Sequence, residues 1–383
     1  MNPNSRSILI FHANGIYSCM ILAIGIYVGY LLFLLVLIVV WNTWKLDPRP
    51  YQEIPISVII PFRNEEKNLF KLVKSLSEQG HRVFEVVFVN DHSEDEGLNL
   101  LRELLQEVSF DYQIHTLKDT FGKKEAIKAG IEMANNDLIV TTDADCAAGS
   151  KWLEEISSRF QDEHIQMVVG PVVLTGNSFW QKMQSLEFAS LIGTGGVFLR
   201  MGLPLMANGA NLAYRKAAFK KVDGFNGIDS TPSGDDELLM HKVNQEFPNG
   251  IKFQKSIGSV VSTEASEGWS AFRQQRLRWA SKWRVGLRFA TILSALLIFI
   301  VQLIQLWLFY NLFDPGDNLQ LIASLLFFKL LIEFIFLWSI GHTFGQKMNG
   351  IAFIVNYLLY PLYAIYFGIA ANFGKFKWKG RAY

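Results

Sequence analysis

Two carboxylates one residue apart close an apolar run in Thr141-Thr142-Asp143-Ala144-Asp145. On a strand, residues i and i+2 share a face, so Asp143 and Asp145 are expected to converge on one Mg²⁺ or Mn²⁺ whose remaining positions diphosphate oxygens would fill. Such an ion neutralises charge that builds on a departing diphosphate. A solvated acidic turn explains the triplet equally well, so the residues around it have to separate the readings. Asn90-Asp91-His92-Ser93 is a second acidic turn after an apolar run, suited to hydrogen-bonding a base or ribose, or to an Asx-turn that starts a helix. Gly122-Lys123-Lys124 opens a helix-period segment, where free amides and a lysine stabilise phosphate, although a solvated lysine pair accounts for it too.

Two more clusters follow downstream. Ser233-Gly234-Asp235-Asp236-Glu237 holds three consecutive carboxylates; their mutual repulsion favours a raised pKa, which suits a general base, and a solvated helix N-terminus gives the same run without chemistry. In Phe272-Arg273-Gln274-Gln275-Arg276-Leu277-Arg278-Trp279 basic, amide and indole groups precede an apolar segment. One reading is an interfacial anchor; the other gives Arg278 a diphosphate oxygen and Trp279 a stacking or acceptor-lining role.

The elements that must position these residues are legible as an alternation of short β-branched runs with helix-period segments between Lys45 and about Arg288, the pattern of a parallel α/β sheet. Ser57 to Pro61, Glu85 to Asn90, Ile114 to Leu117 and Leu138 to Thr142 read as strands. Leu69, Leu72, Val73 and Leu76 recur at i, i+3, i+4 and i+7, giving a helix one apolar face, with Glu65 and Glu66 in its first turn. The turn after the first strand is Pro-Phe-Arg-Asn-Glu-Glu and lacks the glycines a dinucleotide-binding turn requires. Ligands in open α/β sheets bind beyond the carboxyl ends of the strands, where the acidic clusters fall.

Half of the 383 residues are hydrophobic and 30 are Phe, more apolar surface than one soluble core of this size needs. No Asp, Glu, Lys or Arg occurs from Ser7 to Trp44, and Ile16 to Trp41 is long enough to cross a bilayer. Lys45 and Arg49 follow it, favouring a cytoplasmic location for the next segment. Phe289 to Phe313, Leu319 to Ile340 and Ile351 to Phe373 form three further apolar segments. Between Glu187 and Arg200 only 12 uncharged residues occur, so 178–206 is expected to be an interfacial or protein-buried element. Lys329 and Glu333, at i and i+4 inside an apolar segment, are expected to pair, or else to meet a lipid head group. A net charge of +1 offers no footprint for nucleic acid, and Cys19 and Cys146 form neither a disulfide framework nor a zinc spacing.

Taken in order, Ser-Val-Ile-Ile-Pro-Phe-Arg-Asn-Glu-Glu (57–66), Asn-Asp-His-Ser, Gly-Lys-Lys, Asp-Ala-Asp, Gly-Asp-Asp and Gln-x-x-Arg-Trp (275–279) resemble glycosyltransferase family 2 over roughly residues 55 to 285. The resemblance is to its membrane branch, which includes cellulose, hyaluronan and poly-N-acetylglucosamine synthases and ceramide glucosyltransferases. It implies a Rossmann-like α/β GT-A fold flanked by transmembrane helices, a nucleoside-diphosphate sugar donor, commonly UDP, a divalent metal, and one-step inversion at the anomeric carbon. Residue by residue, it implies that Asp91 contacts the nucleobase, with Pro61, Arg63, Glu65, Lys123 and Asp143 in the nucleotide-binding set. It gives Asp143 and Asp145 to the metal, and Asp236 to the proton of the acceptor hydroxyl. Asp235, Gln275, Arg278 and Trp279 then hold diphosphate and acceptor. Asn90 and His92 stand where Asp and Gly are commoner, Asp235 where many relatives have Glu, and Gly234 where several synthases carry Thr.

The expected organisation is an anchor in 1–45, a catalytic domain in 46–288 and a membrane region in 289–383. A synthase that secretes its polymer needs a channel of several helices and this chain offers only about four spans, so the acceptor expected is a membrane lipid, with a growing polysaccharide or a non-catalytic sugar-nucleotide-binding subunit as the alternatives. The tail from Lys375 to Arg381 is similar to the Trp-Lys/Arg-Gly-Arg ending of bacterial lipid and carotenoid glycosyltransferases. Three full spans would put that basic tail outside, against the positive-inside rule.

Overall fold

The computed structural model describes residues 3–46, 51–229, 234–281, 289–370, 377–379 and 381–382. Arg49, Ser233 and Lys375 of the sequence features above lie outside the described residues.

Helix α1 (Pro3–Thr43) leads into strand β1 (Ile56–Phe62), α2 (Glu66–Ser77), β2 (Phe84–Asn90), α3 (Gly97–Leu104), β3 (Asp111–Thr116), α4 (Lys123–Met133) and β4 (Leu138–Thr141). Strands β3, β2, β1 and β4 lie side by side and parallel, in register from Ile56↔Phe84 to Phe62↔Asn90. Both faces of this sheet are covered, which is why its central strands are apolar throughout instead of alternating. Ile56, Val58 and Ile60 pack with Leu69, Leu72, Val73 and Leu76 of α2, while Ile59, Val87 and Val89 pack with Ala126, Ile127 and Ile131 of α4.

The chain continues through β5 (Cys146–Ala148), α5 (Trp152–Arg159), β6 (Met167–Val169), β7 (Val172–Thr175), α6 (Phe179–Arg200), β8 (Leu212–Arg215), α7 (Lys216–Lys221), α8 (Glu237–Glu246), β9 (Ile251–Phe253), β10 (Val261–Glu264) and α9 (Trp269–Ser281). Strands β8, β6 and β9 extend the sheet to seven strands, with β8 antiparallel to its neighbours, and β5, β10 and β7 form a second, three-stranded sheet.

Segment 178–206 is mostly helix α6, opened by a capping box in which Ser178 and Gln181 satisfy each other's backbone amides at 3.1 Å. It runs between the α/β domain and the apolar helices. Its small residues permit close approach: a Cβ on Gly193 would meet Ile340 Cδ1 at 2.0 Å, and one on Gly196 would meet the Trp41 ring at 3.2 Å.

Helices α10 (Phe289–Asn311), α11 (Leu319–Thr343) and α12 (Gly350–Ala370) complete the apolar region. Four described segments are long and apolar enough to cross a membrane: Met20–Thr43, Ile292–Asn311, Leu319–Thr343 and Gly350–Ala370. Helix α1 packs on α11 and α10 on α12, and Trp41 Nε1 donates to Thr343 Oγ1 at 3.1 Å. The tail then returns to the α/β domain. A short hairpin of β11 (Lys377–Trp378) and β12 (Arg381–Ala382) carries Lys379, whose ammonium bonds Glu65 and whose carbonyl accepts from Arg63 Nε at 3.2 Å. The described part of the tail thus touches the α/β domain directly. Helix α12 has the lowest hydropathy of the three spans, carries Pro361, and its Tyr363 and Tyr366 hydroxyls accept from Arg276 and Arg273 of α9 at 2.9 Å each.

Candidate active site

Because β1, β2 and β4 run parallel and in register, Arg63, Asp91 and Thr142 leave the sheet at one carboxyl edge. The Asp91 amide continues the ladder, donating to the Phe62 carbonyl at 2.9 Å. Its buried carboxylate accepts the Gly122 amide at 3.1 Å, which brings the start of α4 to the end of β2. His92 has a positive φ of 57° and stacks on Phe121 with ring centroids 4.3 Å apart, giving a flat aromatic ledge beside Asp91. Arg63 donates to the Asp91 carbonyl at 2.9 Å and pairs with Glu94 at 2.6 Å. Glu65 is buried and accepts from Asn68 and Lys379, while Pro61 sits within β1 opposite Val89.

Asp143 and Asp145 are not on a strand. Strand β4 stops at Thr141, and the two aspartates occupy a tight turn in which the Cys146 amide donates to the Asp143 carbonyl at 3.1 Å before β5 begins. The turn, not strand alternation, brings them together. Asp145 is exposed as a residue, yet desolvation of its carboxyl within the crevice, with the charges of Asp143 and Glu65, pushes it up to about 6.

Lys123, the first residue of α4, joins the acidic clusters. Its ammonium lies 2.7 Å from Asp143 Oδ1 and 3.0 Å from Asp235 Oδ2. Burial pulls that ammonium down, but Asp143, Asp235 and Asp236 outweigh it and hold Lys123 well above the ordinary lysine value. A counter-charge therefore faces Asp235, where the run of three carboxylates by itself suggested only repulsion. Asp236 caps α8, accepting the Glu237 amide at 2.7 Å, and also accepts the Gly209 amide at 3.2 Å. A Cβ on Gly209 would fall 2.8 Å from Asp235 Oδ2 and 3.2 Å from Lys123 Nζ, so a side chain there displaces the ends of both.

Helix α9 contributes Gln275, Arg278 and Trp279 to the same cavity wall. Arg276, which the sequence did not single out, is the buried cation of this helix. It pairs with Glu187 of α6, donates to Gln275 Oε1 at 3.0 Å, and lies 4.5 and 4.3 Å from the Phe272 and Trp279 ring centroids. Trp279 packs between Arg276 and Phe188.

A cavity of about 1080 Å³ has Lys123, Asp143, Asp145, Asp235 and Asp236 at one end and residues of α1, α10, α11 and α12 at the other. The chemistry-bearing end is thus continuous with a space among the apolar helices. Asp91, Arg63 and Glu65 lie outside that cavity, linked to it through Gly122 and the charge of Glu65 on Asp145. Glu187, Arg276 and Lys379 are neighbours of the site that were not among the expected site residues. Their partners are 89 and 314 positions away, and only the charged tail motif held a signal.

Residues 57–223 match the family model described as glycosyl transferase family 2. Among curated proteins, the chain is similar to an undecaprenyl-phosphate 4-deoxy-4-formamido-L-arabinose transferase of Pseudomonas fluorescens, 34% identical over 100 residues, which are 25% of this chain and 29% of the relative. A dodecaprenyl-phosphate galacturonate synthase of Rhizobium johnstonii is 29% identical over 125 residues, 32% of this chain and 37% of the relative. The alignments thus span only about a third of these relatives' length. Among solved structures, the mannosyltransferase PcManGT from Pyrobaculum calidifontis, in complex with GDP-Man and Mn²⁺, superposes with a TM-score of 0.57 at 15% identity over 93% of this chain and 96% of that one. That likeness establishes the fold, a Rossmann-like GT-A domain flanked by apolar helices.

Proposed function

We propose, on the premise that residues 57–223 make this chain a member of glycosyl transferase family 2, that it transfers a sugar with inversion from a nucleoside-diphosphate donor, UDP by preference, to a membrane-lipid acceptor. The observation that carries this reading is Lys123 bridging Asp143 and Asp235, which ties three motifs distant in sequence into one crevice at the head of a cavity among apolar helices.

The base and ribose are assigned to the edge formed by Pro61, Arg63, Glu65 and Asp91, beside the His92–Phe121 ledge. Asp143 and Asp145 offer hard oxygen ligands, and desolvation together with the negative charge of Asp143 and Glu65 raises the proton affinity of Asp145, a cost that a Mg²⁺ or Mn²⁺ ion would relieve, so the residues fit a divalent metal. Among the described residues no group of three or more His, Cys, Asp or Glu could hold a metal alone, consistent with a site that donor oxygens complete. When bound, that ion neutralises the charge of the leaving diphosphate. Lys123 and Arg278 supply further positive charge on the diphosphate side. Asp236 takes the proton of the acceptor hydroxyl as its oxygen bonds to the anomeric carbon and the bond from that carbon to the diphosphate breaks. The Gly209 amide and the start of α8 hold Asp236 in place, and Asp235, Gln275 and Trp279 shape the acceptor's approach. The catalytic domain is assigned to the cytoplasmic face, where Lys45 and Arg49 after the first span favour it.

A second reading, transfer to a polyprenyl phosphate, takes its support from the names of the curated relatives. Mass spectrometry of the product made by the purified full-length chain from labelled UDP-glucose, UDP-N-acetylglucosamine or GDP-mannose with membrane lipid extract tests both. A lipid glycoside supports the first reading and a lipid phosphosugar the second. A long polysaccharide, or no metal-dependent product with any donor, overturns both.

A further inference from the structure

Farther along the cavity, the four apolar helices each present polar groups to it: Tyr30 from α1, Gln302 from α10, Lys329 and Glu333 from α11, and Asn356 and Tyr357 from α12. Lys329 Nζ lies 2.6 Å from Glu333 Oε1, as the i, i+4 spacing led one to expect, and Tyr30 donates to the same carboxylate oxygen at 3.0 Å. The ammonium is also 4.9 Å from the Tyr357 ring centroid. Gln302 is only 1% exposed, yet its Oε1 has no hydrogen-bond partner. Each charge at membrane depth costs about 2.5–3.5 kcal/mol, and an unmade buried hydrogen bond about 1–3 kcal/mol. A pair serving only to join helices has no need of an orphaned amide oxygen on the wall of the same cavity.

We propose that Gln302, Lys329 and Glu333 form an acceptor subsite for a neutral, hydroxyl- or amide-bearing part of a lipid whose reacting group reaches Asp236. The assignment deepens the lipid-acceptor reading and rests on it. Gln302 Oε1 requires an O–H or N–H donor, and Lys329, with three N–H groups, retains donors beyond the one used on Glu333. A hydroxyl or an amide carries both a proton for Gln302 and an acceptor for Lys329. An ionised phosphate has no proton for Gln302, and it brings negative charge next to Glu333, which already neutralises Lys329. The chemistry of the wall thus selects a neutral polar lipid over an anionic one.

The test uses the full-length chain in detergent micelles, with ceramide, diacylglycerol and undecaprenyl phosphate as probes. Two variants are compared with wild type: Gln302→Leu, which removes the orphaned acceptor, and the charge-balanced double variant Lys329→Met with Glu333→Gln. Native mass spectrometry reads lipid binding, and transfer kinetics read acceptor KM separately from donor KM. Wild type is expected to bind ceramide or diacylglycerol, and either variant to weaken that binding and raise the acceptor KM about 10-fold, the size of one hydrogen bond, with donor KM within about 2-fold. Retained binding and an unchanged acceptor KM in both variants overturn the proposal, as does wild-type binding of undecaprenyl phosphate alone. Neutral-lipid binding through Gln302 in a protein that transfers no sugar leaves the subsite standing and removes the glycosyltransferase reading instead.

Discussion

Carboxylates at the two ends of the sheet around strand β2 stand in opposite circumstances. At the amino end, Glu85 accepts from Ser57 Oγ and the Asn135 amide at 2.6 Å each, from Asn135 Nδ2 at 2.7 Å and from Gln113 Nε2 at 3.2 Å. Burial pushes its pKa up, but those four donors outweigh burial and hold it below the ordinary glutamate value. Nothing is left for a ligand to do there. Beyond the carboxyl ends of the same sheet, Asp143 and Asp235 share Lys123, Asp236 accepts two backbone amides, and Asp145, beside Asp143, is pushed up to about 6. Carboxylates saturated by neutral donors hold a fold together; carboxylates crowded around one cation are arranged for more positive charge to arrive. Polarity alone does not distinguish the two ends, whereas the supply of donors does.

Substitutions at the two ends sharpen the contrast. The largest effect belongs to Asp236→Asn, which removes the proton acceptor while keeping the cap on α8; kcat for sugar transfer is expected to fall by about 10³-fold or more, with UDP affinity by calorimetry within about 2-fold. Next comes Gly209→Ala, whose methyl would collide with Asp235 and press on Lys123. Transfer is expected to drop about 10²-fold with little change in melting temperature, and a silent substitution there would dissociate the cluster from the reaction. Asp145→Ala is expected to raise donor KM about 10-fold and abolish the dependence of UDP affinity on Mn²⁺, measured by titration with and without chelator. At the other end of the strand, Glu85→Gln should leave donor and acceptor KM untouched and cost about 1–3 kcal/mol of stability near neutral pH. Since the folded pKa of Glu85 lies below its ordinary value of 4.5, its contribution is present above that value and is lost as pH falls through the folded one. Urea unfolding of the wild type and Glu85→Gln at neutral and acidic pH should therefore converge toward acid.

Much of this was legible in the sequence because the information is local. The four parallel strands begin and end within three residues of the β-branched runs, and α2 buries the leucine and valine positions its spacing marks. The carboxyl-edge rule located the acidic turns. Three features were not legible, each for a physical reason. Asp143 and Asp145 meet through a turn, and turn geometry is not encoded in an alternation. The stretch around Gly193 to Gly196 looks like a break in an apolar run, yet its lack of side chains lets α6 close on α11 and α1. Glu65 with Lys379 and Glu187 with Arg276 are contacts between elements far apart along the chain, and their side chains carry no mark of the partner. Docking of the tail on the Glu65 loop places Lys379 beside the α/β domain.

The central claim is that residues from three distant motifs act as one electrostatic unit. A double-mutant cycle on Lys123→Met and Asp235→Asn, read as kcat/KM for transfer from a labelled nucleotide sugar, tests it most directly. Groups in ion-pair contact couple by about 0.5–3 kcal/mol, so the double variant should be impaired at least about 3-fold less than the product of the single losses. Losses that multiply without remainder would mean that the two side chains work independently, and the single crevice would not be the site of the reaction.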